Sequence, residues 1–243
     1  MNLVIDIGNS YWKVALFKEN SLQKRAEIAQ GSHLFLANFL ENNTPNAIAF
    51  SSVRETFKEE KRLLSTFGKV YSFSSSDPLP LTLRYHTPET LGTDRIAGAV
   101  YASSTFPGKD CLVITIGTCI TCDLITAQGI YEGGTISPGP TMRLQAMHHF
   151  TGKLPPTDFQ ADVPLPGKST AQCMASGTYY GILAEITHYI HHYKQQYKGL
   201  HVILSGGFMH FFEKKIKYPI FAQNDIVLRG LNEILNYTLE RTK

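Results

Sequence analysis

The sequence predicts an α/β fold made of two subdomains that share one plan and meet at a cleft. Residues 4–8 (VIDIG) and residues 113–117 (VITIG) are alike, and their glycines, Gly8 and Gly117, lie 109 positions apart. After each glycine turn come a second and a third predicted strand, then helices and a further strand, in the same order. We therefore divide the chain into an N-terminal half, 1–109, and a C-terminal half, 110–243.

The first half is predicted to open with three consecutive strands, because apolar runs are separated by the turn at Gly8 and by Glu19-Asn20. Ser, Pro and Asp crowd residues 74–88, which we expect to form a loop. The predicted elements of this half are strands over 2–8, 10–17, 21–29, 47–52 and 69–73, and helices over 33–43, 55–67 and 93–104.

The second half repeats this opening, with Gln128-Gly129 as its second turn. Residues 201–205 (HVILS) correspond to the apolar strand at 47–52 (AIAFSS) in the first half. The predicted elements here are strands over 111–117, 119–126, 129–137 and 201–205, and helices over 171–197 and 227–241.

Composition and charge exclude several classes of protein. The chain has 243 residues, 43% of them hydrophobic and 18% charged, which excludes a disordered chain or a coiled coil. No apolar run approaches the ~18 residues of a membrane span. The charged Asp6 interrupts the N-terminal apolar stretch, so we expect no signal peptide and a cytoplasmic protein. The net charge of +3 is too small to indicate a nucleic-acid surface.

The four cysteines do not indicate a disulfide framework or a metal centre. Cys119 and Cys122 form a C-x-x-C pair, but they lie in a predicted strand rather than at a helix N-terminus, where a redox thiol would be activated. A zinc site would need a second such pair. We expect buried free thiols, which is the common state of cysteine in a core.

The first glycine turn, residues 6–10 (DIGNS), has the composition of a phosphate-binding turn. A carboxylate such as Asp6 at the end of a buried strand is costly unless something pairs with it, and Mg²⁺ bound to a phosphate would be such a partner. Gly8 allows close approach of the backbone, while Ser10 and Lys13 can donate to phosphate oxygens. These residues are equally compatible with an ordinary β-turn in which Asp and Asn bond their own backbone.

The second glycine turn, residues 117–121 (GTCIT), carries hydroxyl groups in place of the carboxylate. Two glycine hairpins, one from each half, would form a clamp for a polyphosphate. The alternative is an ordinary hairpin, because threonine is common in strands. The chain contains neither a P-loop motif nor a strand-linked G-x-G-x-x-G, so those two nucleotide-binding routes are excluded.

Four motifs in order make the sequence resemble the type III pantothenate kinases. They are a DxGN[ST] turn at 6–10, a GxDR helix start at 92–95, a GTxxT turn at 117–121 and a GG-x-I-x-P-G segment at 133–139; weaker matches follow at 151–155 (TGKLP) and at Ser169-Thr170. The resemblance implies the acetate and sugar kinase/Hsc70/actin superfamily, with two duplicated ribonuclease-H-like halves. It also implies ATP-dependent phosphorylation of pantothenate, the first step of coenzyme A biosynthesis.

The resemblance assigns roles to individual residues. Asp94 would be the general base that accepts the proton of the substrate hydroxyl, although alone it could equally cap its helix. Asp6 would organise Mg²⁺ through water, and Trp12, at the nucleotide turn, is also expected in the core. The implied pantothenate-binding residues are Tyr85, Gly92, Thr93, Asp94, Arg95 and Thr170. The implied nucleotide-binding residues are Asp6, Ile7, Gly8, Asn9, Ser10, Tyr11, Trp12, Lys13 and Thr118.

The sequence departs from the family pattern at Thr115. The family usually has an aspartate there, associated with a monovalent cation such as K⁺ or NH₄⁺. A threonine hydroxyl is a weaker ligand and brings no charge. We therefore expect the monovalent cation site to be altered or absent.

Other interpretations stay open at this stage. The same fold could serve a kinase for another small hydroxylated substrate, or a non-catalytic nucleotide-binding regulator, since the family includes sequences named Bvg accessory factors. The resemblance also implies a homodimer. His188, His191 and His192 have the spacing of a metal-binding helix face, but a solvated or interface patch is the favoured interpretation.

Overall fold

The computed structural model describes residues 1–8, 11–29, 32–41, 43–52 and 58–242. Asn9 and Ser10 of the first glycine turn, and the start of the helix predicted over 55–67, lie outside the described residues. In chain order the elements are β1 (Asn2–Ile7), β2 (Trp12–Lys18), β3 (Ser21–Ile28), α1 (His33–Leu40), β4 (Ala47–Ser52), α2 (Lys58–Ser65), β5 (Val70–Ser72), β6 (Thr82–Leu83), α3 (Thr93–Thr105), β7 (Cys111–Ile116), β8 (Cys119–Ile125), β9 (Ile130–Pro138), α4 (Pro140–His149), α5 (Thr170–Gln196), β10 (His201–Ser205), α6 (Met209–Phe212), β11 (Ile220–Ala222) and α7 (Ile226–Arg241).

The described chain packs as two compact units. Unit 1 consists of Met1–Pro107, Gly129–Tyr131 and Asp225–Lys243, and unit 2 of Gly108–Gln128 and Glu132–Asn224. This differs from the predicted halves, 1–109 and 110–243, at the C-terminus. Helix α7 belongs to unit 1 because it packs against α3 and β1, where the Asn2 amide donates to Asn232 Oδ1 at 3.0 Å. The predicted halves, 1–109 and 110–243, describe a repeated order of elements. Their boundaries stay a prediction.

Unit 1 is built on a sheet with the strand order β3-β2-β1-β4-β5. Strand β1 runs antiparallel to β2 and parallel to β4, and it is buried along its whole length. Its alternate side chains Leu3, Ile5 and Ile7 form a core with apolar residues of α1 and α2. The opposite face of β1, which carries Asn2 and Asp6, is the face that contacts α7.

The second sheet has the order β11-β10-β7-β8-β9-β6, and its first five strands repeat the arrangement of the unit 1 sheet. Strand β7 takes the place of β1, because it runs antiparallel to β8 and parallel to β10. The long helix α5 covers one face with Tyr179, Ile182, Ile186 and Ile190, all of them buried. Two α/β units with the same strand order confirm the predicted duplication of one plan.

Several elements were not predicted from the sequence. The predicted loop 74–88 contains the two-residue strand β6, because Thr82 N donates to Gly129 O at 2.9 Å. Helix α4 begins at Pro140, a residue suited to the first position of a helix since the missing N–H has no helical partner there. Helix α6 and the short strand β11 were also absent from the predictions.

The cysteines are free thiols. Cys111 and Cys122 are buried, Cys119 is half-buried, and Cys173 is exposed. Burial raises the pKa of the Cys111 thiol to about 12, so that sulfur stays protonated near neutral pH. Among the described residues, no helix is both long and apolar enough to cross a bilayer.

Candidate active site

Asp6 sits near the end of β1, between polar partners on the two neighbouring strands. The register places it opposite Lys13 on β2 and opposite Ser51 on β4, whose hydroxyl donates to Asp6 Oδ1 at 3.4 Å. Asp6 is only 8% exposed. Burial raises its pKa to about 6, Lys13 and the Ser51 hydrogen bond oppose this rise, and the negative charge of Asp94 adds to it. The carboxylate is therefore desolvated without a full counter-charge.

The described part of the first turn is closed by a backbone hydrogen bond from Gly8 N to Tyr11 O at 3.0 Å. Tyr11 is 52% exposed, whereas the side chains of Ile7 and Trp12 are buried in the core. The expectation that Trp12 lies in the core agrees with this placement. Ile7 and Trp12 can therefore contact a nucleotide only through their backbone atoms.

The start of α3 brings Gly92, Thr93, Asp94 and Arg95 together. Asp94 Oδ1 accepts a hydrogen bond from Arg95 N at 2.9 Å. A Cβ atom at Gly92 would lie 2.5 Å from the same Oδ1, so a side chain there would require the carboxylate to rotate. The hydrogen bond to the helix-start amide orients the carboxylate.

Arg95 is buried beside two aromatic rings. It is 8% exposed, and its guanidinium carbon lies 5.9 Å from the ring centroids of both Tyr85 and Tyr131. Tyr131 lies outside the four family motifs and was not predicted as a site residue. Its position two residues before the paired glycines at 133–134 is the sequence signal that could have found it.

The second glycine turn is built in unit 2 between β7 and β8. Gly117 N donates to Cys119 O at 2.9 Å, and Thr118 is exposed at the tip. Half-buried Thr115 pairs with Thr121 on β8 and with Ser205 on β10, so its strand neighbours are also hydroxyl residues.

Two further glycines pack against the second turn and its strand. Gly139 N donates to Thr118 O at 2.9 Å. Gly206 follows β10 with φ of 97°, and a Cβ there would lie 2.3 Å from Ile116 O. Gly206 was missed by the sequence analysis, although a Gly-Gly pair directly after an apolar strand is a recognisable signal.

Thr170 is the exposed first residue of α5, directly after the helix cap, where Ser169 Oγ accepts from Gln172 N at 3.3 Å. In unit 1 the charges of Lys13 and Asp94 both act on Asp6, and the Arg95 guanidinium lies near the Tyr85 ring. Thr170 belongs to unit 2, as do Thr115 and Thr118.

The histidines of α5 bond to neighbouring polar side chains. A ring nitrogen of His191 lies 3.3 Å from the Tyr218 hydroxyl, and a ring nitrogen of His192 lies 3.0 Å from Gln196 Nε2. Within the part of the chain that the structure describes, no three His, Cys, Asp or Glu residues form a group able to hold a metal ion. The histidine face of α5 therefore offers no three-ligand site.

The sequence comparisons decide the family. The family model for type III pantothenate kinase matches residues 2–192. A type III pantothenate kinase from Cytophaga hutchinsonii is 40% identical over 239 residues, which cover 98% of this chain and 100% of the relative. The chain belongs to the type III pantothenate kinase family. The family prediction is confirmed, and with it the activity: ATP-dependent phosphorylation of pantothenate in coenzyme A biosynthesis.

The solved structures show the fold of the type III pantothenate kinase chain. A protein from Campylobacter jejuni described as a Baf family transcriptional activator is 22% identical, with a TM-score of 0.62 and coverage of 98% of this chain and 99% of that one. A protein from Sinorhizobium meliloti described as a 2-dehydro-3-deoxygalactonokinase is 14% identical, with a TM-score of 0.60 and the same coverage. The predicted actin-like ATPase and sugar kinase fold is confirmed.

Proposed function

We propose that this pantothenate kinase uses Asp94 as its general base and Asp6 to help hold a magnesium ion at the ATP phosphates. The observation that carries the proposal is the electrostatic link between the two carboxylates within unit 1: the charge of Asp94 adds to the rise in the pKa of Asp6. Sequence motifs about 90 residues apart thus supply two carboxylates to one region of unit 1.

The residues fit a magnesium ion. Mg²⁺ is usually held by one or two carboxylates together with waters and substrate phosphates, and it does not need a full protein cage. The buried Asp6, whose charge Lys13 only partly offsets, is stabilised by any added cation. When bound, the ion would neutralise charge on the phosphate oxygens; Asp6 would hold it through water.

Asp94 is suited to accept a proton because the Arg95 amide orients its carboxylate. Oδ1 already accepts that amide, and we assign Oδ2 to the primary hydroxyl of pantothenate. Phosphoryl transfer depends mainly on positioning and charge neutralisation, which an oriented carboxylate helps to supply. The family resemblance carries the remaining assignments. Pantothenate would be bound by Tyr85, Gly92, Thr93, Arg95 and Thr170, and the ATP phosphates by the turns at Gly8 and Thr118 with Lys13.

The same proposal includes a cytoplasmic homodimer. Three large apolar side chains of unit 2 are widely exposed: Ile136 at 61%, Phe150 at 81% and Leu165 at 68%. These side chains are candidates for an interface if they form one apolar patch, and the family resemblance implies a second copy as the partner. A light-scattering mass of two chains is expected; a mass of one chain would contradict the dimer.

The proposed function is tested by incubating the protein with ATP, Mg²⁺ and pantothenate and detecting 4′-phosphopantothenate by mass spectrometry. Asp94→Asn is expected to lower kcat by about 10²–10⁴-fold, the usual contribution of a general base. Asp77→Asn is the matched control, because Asp77 accepts a loop amide from Ser74 and has no assigned role. Full activity of Asp94→Asn would overturn the assignment, and nucleotide binding without turnover in the wild type would favour a regulator.

A further inference from the structure

Two tyrosine rings lie beside the Arg95 guanidinium in unit 1. The guanidinium carbon lies 5.9 Å from the ring centroids of both Tyr85 and Tyr131. Arg95 is 8% exposed and Tyr131 is fully buried. A cation over an aromatic ring is attracted more strongly when water is excluded, so this buried arrangement restricts the position of Arg95.

Backbone pairing fixes where the Tyr131 ring lies. Leu83 of β6 is opposite Tyr131 of β9, and Arg84 N donates to Tyr131 O at 2.9 Å. Tyr85 follows β6 by two residues, and its ring centroid lies 5.9 Å from that of Tyr131 at an angle of 57°. The two-residue strand β6 thus brings both rings to Arg95.

We propose that Tyr131 is a positioning residue for pantothenate binding, whose ring orients the Arg95 guanidinium toward the substrate. The inference rests on the proposed role of Arg95 in binding pantothenate. A guanidinium packed beside buried aromatic rings has less freedom to turn, and its planar fork of N–H donors suits a carboxylate such as the one pantothenate carries. Since Tyr131 is fully buried, it acts through Arg95 rather than by touching the substrate.

The first test replaces the ring. Tyr131→Leu is expected to raise the KM for pantothenate about tenfold, the scale of a desolvated cation–π contact, with the KM for ATP unchanged. Tyr131→Phe keeps the ring and is expected to restore a KM near that of the wild type. If the leucine variant does not fold, Tyr131→Met, whose unbranched side chain adapts better to an irregular core site, is measured in its place.

A matched control separates positioning from stability. Phe17 on β2 is another fully buried aromatic residue of unit 1, outside the proposed site. Phe17→Leu is expected to lower the melting temperature as Tyr131→Leu does, but to leave the KM for pantothenate unchanged. An equal rise in that KM for both variants would overturn the inference, because it would show a general effect of core loosening.

A double-mutant cycle with Arg95→Met tests whether Tyr131 acts through Arg95. Arg95→Met alone is expected to raise the KM for pantothenate, and adding Tyr131→Leu should raise it no further. If Tyr131→Leu has its full effect in the Arg95→Met background, or no effect in the wild type, the inference is wrong while the proposed function stands. If Arg95→Met itself leaves pantothenate binding intact, the proposed role of Arg95 fails.

Discussion

The backbone amide of Gly139 donates to the carbonyl oxygen of Thr118 at 2.9 Å, which ties the GG-x-I-x-P-G segment to the tip of the second glycine turn. A Cβ atom at Gly139 would lie 2.0 Å from the Gly117 carbonyl oxygen and 2.5 Å from that of Thr118. Those atoms are backbone, so a side chain at position 139 could be accommodated only by moving the turn. The glycine at position 139 is thus explained by contact with the turn rather than by its own dihedral angles.

Gly139→Ala is therefore expected to displace the Thr118 turn and to weaken ATP binding. The KM for ATP should rise by about tenfold or more, since a small shift of a phosphate-binding turn is costly, while the KM for pantothenate changes little. Steady-state kinetics with each substrate varied in turn measures this. Gly177→Ala in α5 is the control, because a Cβ there meets nothing within 4 Å. A normal KM for ATP in Gly139→Ala would show that the turn does not contact the nucleotide.

The segment before Gly139 is held by a half-buried ion pair between Arg143 of α4 and Glu185 of α5. Glu185 also accepts a hydrogen bond from the Ser137 hydroxyl. Arg143 Nε donates to Pro138 O at 2.8 Å. Glu185→Gln removes the charge and leaves Arg143 in a partly desolvated place, so the free energy of unfolding should fall by about 2 kcal/mol. Urea denaturation measures this change.

The control for the Glu185 prediction is Glu41→Gln. Glu41 pairs with Lys24 at 2.7 Å, but its side chain is 68% exposed, and solvent screens such a pair. The free energy of unfolding of Glu41→Gln should therefore be close to that of the wild type. Equal destabilisation by the two substitutions would contradict the special role of the Arg143–Glu185 pair.

The sequence was sufficient where the structure depends on local pattern. The apolar runs at 47–52 and 201–205 were predicted with the same bounds that β4 and β10 have, because turn residues flank each of them. The position of Asp94 at a helix start was likewise visible in the GxDR motif. Such features need only neighbouring residues to be recognised.

The features that were missed depend on distant pairing. Tyr131 reaches Arg95 only because β6 pairs with the start of β9, and a two-residue strand leaves no period in the sequence. Helix α4 was missed since its first residue, Pro140, completes a glycine-proline segment typical of turns. The altered pKa of Asp6 also comes from burial and from the distant Asp94, which no local pattern reveals.

Asp6 predicts an unusual pH dependence of the metal-free protein. Its pKa rises from 3.8 to about 6 on folding, so between these values the folded chain binds more protons than the unfolded chain. The free energy of unfolding contributed by Asp6 is therefore fully present below pH 3.8 and is lost as the pH rises through about 6. Asp6→Asn should accordingly raise the stability at pH 7.5 by about 1–3 kcal/mol while it impairs activity.

Urea denaturation in EDTA between pH 5 and pH 8 checks the Asp6 prediction. The gain in the free energy of unfolding that Asp6→Asn brings should become smaller as the pH is lowered from 8 to 5. In buffer without EDTA, addition of Mg²⁺ and ATP should stabilise the wild type more than the variant, because in the proposed site the Asp6 carboxylate helps to hold the ion. If Asp6→Asn is less stable than the wild type at pH 7.5 in EDTA, the charge of Asp6 does not destabilise the folded protein.

Thr115 predicts that the kinase does not depend on K⁺. Its strand partners Thr121 and Ser205 add further hydroxyls at the position where the family usually has a carboxylate. Hydroxyls bring no charge to offset the desolvation of a monovalent cation, so activity should be similar in Na⁺, K⁺ and NH₄⁺. Thr115→Asp is expected to make the activity respond to K⁺ or NH₄⁺. Thr115→Asn, in which the new side chain has the shape of aspartate without its charge, should not produce this response. Strong K⁺ stimulation of the wild type would mean that other groups hold the cation.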